Sequence, residues 1–101
     1  MLAEVSIIPI GVGVAVSDRL AKVLRLIDES GLDYRVGPMG TVLEGRWDQV
    51  MGLIKRCHEV VLAQGQRVLT SITIDDRKGA RGRLTGKVAS VVRKAGRPLK
   101  V

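Results

Sequence analysis

Apolar residues crowd and thin along this chain in ways that predict its elements before any chemistry is considered. Val5-Ser6-Ile7-Ile8-Pro9-Ile10 is dense in β-branched residues without clean alternation, which predicts a first strand buried on both faces or lying at a subunit contact. Pro9 lacks a ladder donor and should stand where that strand ends or bulges. Gly11-Val12-Gly13 then predicts a tightly turned connection. Its glycines are too sparse for a dinucleotide fingerprint, and no Gly-Lys-Ser/Thr follows to make a P-loop. Beyond it, Leu20, Val23, Leu24 and Ile27 fall on one stripe of an amphipathic helix, with Ser17 as the expected N-cap and Gly31 as the closing residue.

A short strand is expected from Asp33 to Gly37, with Tyr34 and Val36 on one face and Asp33 and Arg35 on the other. After the turn Pro38-Met39-Gly40, a third strand over Thr41 to Glu44 puts Thr41 and Leu43 opposite Val42 and Glu44; the pair reads as an antiparallel hairpin. A second helix from about Arg46 to Gln64 carries Val50, Ile54, Cys57 and Val61 on its stripe. Arg67 to Asp75 alternates well and forms the fourth strand. Leu84, Val88, Val91, Val92 and Ala95 mark a third helix that Gly96 stops, followed by a frayed tail. The order β-α-β-β-α-β plus a helix defines an α+β chain, a ferredoxin-like plait with a four-stranded antiparallel sheet and an added C-terminal helix. At 101 residues the chain, 1–101, is expected to form one domain.

Composition changes this picture little, but charge does. Aromatic residues are limited to Tyr34 and Trp47, so the core must be aliphatic. A single cysteine, Cys57, excludes an internal disulfide and suits a reducing, cytoplasmic setting. The opening segment is broken by Glu4 and Pro9 and does not read as a signal sequence or membrane span. Residues 1–76 hold eight Lys/Arg against ten Asp/Glu, whereas residues 77–101 hold nine Lys/Arg and no acid. Such a basic segment could contact nucleic acid electrostatically, yet the strands carry no aromatic residue for base stacking, and a solvated or intersubunit surface is the expected reading.

Candidate chemistry is sparse. His58 has no spaced ligand set or local nucleophile, Cys57 reads as a small core residue, and Asp75 and Asp76 point in opposite directions on an extended chain, so neither a metal site nor a catalytic constellation is assembled. Glu44 stands out, because a carboxylate at a strand-to-helix junction is either a ligand group or a partner for the dipole of the helix starting near Arg46. Turn chemistry alone, through positive φ, would account for Gly40 and Gly45.

The order and spacing of Pro38-Met39-Gly40-Thr41, Glu44-Gly45, Asp75-Asp76-Arg77 and Lys87-Val88 resembles the small thiamine-binding protein family over nearly the whole chain, Val5 to about Val92. The resemblance implies a ferredoxin-like fold, homodimers or homotetramers, and non-catalytic binding of thiamine or a related aminopyrimidine. It implies a ligand pocket near the second and third strands, with Glu44 accepting from the pyrimidine and Thr41 beside it. Met39 with Gly40 and Tyr34 would contribute flat-ring contacts, and Arg77 and Lys87 would hold Glu44, a phosphate or a subunit contact. The basic Arg81-Gly82-Arg83 loop is not part of that pattern. A nucleic-acid-binding role through the C-terminal region is the alternative reading.

Overall fold

Strand β1 (Leu2–Pro9) runs along the middle of the sheet and buries one side of itself, with Ala3, Val5, Ile7 and Pro9 inward and Glu4 and Ile8 exposed. Within the single chain the strand is buried on one face only, which corrects the expectation of burial on both faces. The structure, a computed structural model, describes residues 1–11 and 16–101; the turn expected at Val12 and Gly13 lies outside the described residues. Helix α1 (Val16–Glu29), strands β2 (Asp33–Val36) and β3 (Thr41–Glu44), helix α2 (Trp47–Ala63), strand β4 (Val68–Asp75) and helix α3 (Arg83–Ala95) follow in order. Ser17 lies within the first turn of α1 rather than before it. Gly31 and Gly96 adopt left-handed φ at the ends of α1 and α3, where a side chain would be strained.

The four strands form one antiparallel sheet in the order β2-β3-β1-β4, the arrangement of a ferredoxin-like plait. β4 pairs with β1 along its whole length, from Leu2 opposite Asp75 to Pro9 opposite Val68. β3 covers only the first half of the other side of β1, from Leu2 to Val5. Because side chains alternate along a strand, these registers sort the sheet into two faces. Ala3, Val5, Ile7, Leu43 and Thr41 meet Val23 and Ile27 of α1 and Val50, Leu53, Ile54, Cys57 and Val61 of α2 in one aliphatic core. Leu2, Asp33, Arg35, Val42, Glu44 and Asp75 fall on the opposite face, across which α3 lies.

The glycines of the hairpin motif are required for space and not for φ. None of Gly37, Gly40 and Gly45 has positive φ, so the turn explanation is corrected. A Cβ on Gly40 would lie 3.0 Å from the carbonyl oxygen of Val5, and one on Gly45 would crowd Leu32, Gln49 and Val50 at 3.1–3.3 Å. The hairpin thus lies tightly against β1 and α2.

Candidate functional site

Glu44 ends β3 on the α3 face, and the start of α3 comes to it. Gly82 precedes α3 with left-handed φ and supplies no side-chain cap, and the first turn of the helix holds no acidic residue. The open backbone donors of that turn are instead met from across the sheet: Arg83 N–H donates to Glu44 Oε2 at 2.8 Å and Leu84 N–H to Oε1 at 3.3 Å. Glu44 is therefore a helix N-terminal carboxylate, but for α3. The nearby α2 is closed differently, by Arg46, whose N–H donates to Gln49 Oε1 at 3.0 Å. Assigning Glu44 to the helix beginning near Arg46 is corrected accordingly.

Asp33 is paired directly with Glu44 across the β2–β3 ladder. Adjacent carboxylates on one sheet face repel each other unless a cation or donor stands between them. They line a cavity of about 530 Å³ closed by Gly45, Arg46 and Gln49 on one side and by Ala80, Arg81 and Gly82 on the other. Each Glu44 oxygen keeps acceptor capacity beyond the bond it receives from α3, because a carboxylate offers about four lone-pair sites. A smaller hollow of about 80 Å³ on the far side of Glu44 is lined by Asp75, Arg77, Arg83 and Lys87. There Lys87 Nζ donates to Asp75 Oδ2, and this bond, more than the Coulomb attraction of Lys87, holds the Asp75 carboxyl below the ordinary range.

The structure brings Glu44, Arg77 and Lys87 together and separates the other sequence-singled residues from them. Met39, Gly40 and Thr41 line a hollow of about 320 Å³ between the hairpin turn, β1 and α1, on the helix-covered face. Thr41 is buried there, whereas Met39 is 84% exposed. Tyr34 lines none of these three cavities: its ring packs against the core, and its hydroxyl donates to Asp28 Oδ1 at 2.6 Å, which raises the phenol above its ordinary value. Asp33 is the residue that motif matching does not single out. The signal for it is the hairpin register, which sets Asp33 opposite Glu44 once Tyr34 is paired with Leu43.

Nucleophile chemistry finds no support in the geometry of the remaining reactive groups. Cys57 is 1% exposed and its thiol is pushed up by burial, with Arg56 pulling weakly the other way. His58, half-buried, uses Nδ1 in a 2.7 Å hydrogen bond with Thr70 Oγ1 that ties α2 to β4. Among the described residues, no three His, Cys, Asp or Glu side chains converge as a metal site, and no helix is long and apolar enough to cross a membrane.

The molecule is thus a ferredoxin-like plait with a carboxylate pair beneath the start of its last helix. The profile of the thiamine-binding protein family matches residues 3–92, and the chain belongs to that family. It is 36% identical over 91 residues to a UPF0045 protein of Methanocaldococcus jannaschii, covering 90% of this chain and 91% of that one. A UPF0045 protein of Mycobacterium tuberculosis is 37% identical over 99 residues, covering 97% of each. The fold matches a crystal structure of the M. jannaschii protein with a TM-score of 0.82 at 37% identity, over 89% of this chain and 93% of that one.

Proposed function

We propose that the protein binds thiamine or a related aminopyrimidine without catalysis, in the cavity between Asp33, Glu44 and the Ala80–Gly82 segment. Membership of the thiamine-binding family gives the ligand class. A neighbour of the same fold from Thermotoga maritima, described as a suspected thiamine biosynthesis or salvage protein, agrees with it. The observation that carries the location is the pairing of Asp33 with Glu44 at one cavity wall. Two carboxylates there complement the thiazolium charge and accept from the amino group of the pyrimidine. Lys87 is engaged by Asp75, so Arg77, Arg81 and Arg83, which form no ion pair among the described residues, are the cations available to a phosphate extension. Gly40 and Thr41 act through packing against β1, and Met39 lies away from the ligand.

We also assign the chain a tendency to pair with copies of itself in the cytoplasm. Strand β1 is interior to the sheet, whereas β4 has a free edge. That strand is an edge of the sheet along its whole length and exposes Leu69, Ile72 and Ile74. Light scattering that gave the 10.9 kDa of a single chain across the micromolar range would end this assignment.

Calorimetric titration with thiamine tests the site. Because Glu44 also caps α3, Asp33→Asn is the cleaner probe; it should weaken binding by about ten-fold or more, the effect of losing one charged hydrogen-bond acceptor, without loosening α3. Unchanged affinity in Asp33→Asn, or an absence of thiamine binding by the native chain, would place the ligand elsewhere.

A further inference from the structure

A strongly apolar cavity lies apart from the carboxylate pair. It occupies about 730 Å³ between the inner side of α3 and the open sheet face. Leu2 and Val42 form its floor, and Leu84, Val88 and Val92, spaced four apart along one side of α3, form its roof. No residue of α3 is buried, so the helix spans this space without filling it. The volume is in the range of pockets that enclose small organic ligands.

Charge restricts what can occupy it. Arg35, Arg83, Lys87 and Arg93 stand around the apolar lining, and no Asp or Glu side chain is among the lining residues. Lys87 is neutralised by Asp75, whereas Arg35, Arg83 and Arg93 form no ion pair among the described residues. An apolar chamber rimmed by unpaired guanidinium groups rejects a cation and pairs well with a carboxylate or phosphate.

We infer that the groove beneath α3 is a second binding site, for a small amphiphilic anion of the fatty-acid type, with its hydrocarbon body between Val42 and Val88 and its head group at Arg35 and Arg93. The site differs in charge from the cavity at Asp33 and Glu44, which carries carboxylates beside Arg46 and Arg81, whereas the groove is lined by cations and no Asp or Glu side chain.

Sodium decanoate and decyltrimethylammonium, titrated calorimetrically against the intact chain, separate this proposal from general hydrophobic adsorption. Decanoate should bind saturably at one per chain, and the cationic analogue at least ten-fold more weakly. The double variant Arg35→Gln/Arg93→Gln should weaken decanoate by about ten-fold while keeping its melting temperature, since both side chains are exposed. Val92→Trp, which fills the groove and keeps every charge, should abolish decanoate binding and leave thiamine affinity unchanged. Equal binding of anion and cation, or decanoate affinity indifferent to both variants, would overturn the site. So would dissociation of self-associated chains by Val92→Trp in light scattering, because the groove would then be a contact between copies.

Discussion

The two faces of the sheet are held to their helices by different forces. On the α1–α2 face, Leu43, Val50 and Leu53 are at most 1% exposed, and adhesion is aliphatic packing. On the other face α3 has no buried residue, leaves Val88 and Val91 exposed, and is held by Glu44 at its N-terminus and by the Asp75–Lys87 pair one turn later. Packing is dense and insensitive to pH, whereas a helix fixed by polar contacts over a hollow can shift without unfolding the rest. The same topology thus yields a rigid half and a loosely attached one.

Side-chain truncation gives the largest contrast. Leu53→Ala should destabilise the protein by about 2–5 kcal/mol in denaturant titration, through lost transfer energy and the cavity left behind. Val88→Ala should cost about 1 kcal/mol or less, since the side chain is already 43% exposed. Similar losses at both positions would mean that α3 packs as tightly as α1 and α2.

Glu44→Gln sharpens the comparison. It removes a charge from the α3 N-terminus and should cost about 0.3–1 kcal/mol. The loss should be local: amide hydrogen exchange at Arg83 and Leu84 should accelerate while Leu43 and Leu53 stay protected. Uniform acceleration would show that α3 and the core open as one unit.

Acid should produce the smallest effect. The Asp75 carboxyl is held below its ordinary 3.8 by its hydrogen bond and Coulomb attraction to Lys87, against an opposing desolvation effect and with smaller pulls from Arg83 and Arg77. A depressed carboxylate contributes stability that is fully present above its unfolded value and is lost as pH falls through its folded value. Attachment of α3 should therefore weaken as pH drops below about 4. Asp75→Asn should remove that part of the acid dependence in melting curves, and an unchanged pH profile would show that the pair is ornamental.

Much of this contrast was readable in the sequence. The stripe at Val50, Ile54, Cys57 and Val61 and the alternation of β4 placed the core, and Gly31 and Gly96 marked two helix ends. Alternation along β3 already set Thr41 on the face opposite Glu44, whereas the placing of Tyr34 on that same opposite face needed the hairpin register. The bond from Glu44 to α3 was not legible, because it joins residues 39 positions apart and periodicity is a local signal. The reason for Gly40 and Gly45 was hidden likewise: the atoms that exclude a Cβ belong to Val5 in one case and to Leu32, Gln49 and Val50 in the other.

The pairing of β1 with β4 also shapes how the molecule is made. The β2–β3 hairpin closes across a four-residue turn, and α1 and α2 need only local bonds, so these form within microseconds. The central ladder, by contrast, must bring Leu2 to Asp75, and the entropy of closing so long a loop is met before its hydrogen bonds form. Because β1 has only half of its other edge covered by β3, its full register should be fixed only when β4 arrives. Folding of this chain should therefore be slow for its helix content, with the arrival of β4 as its limiting event.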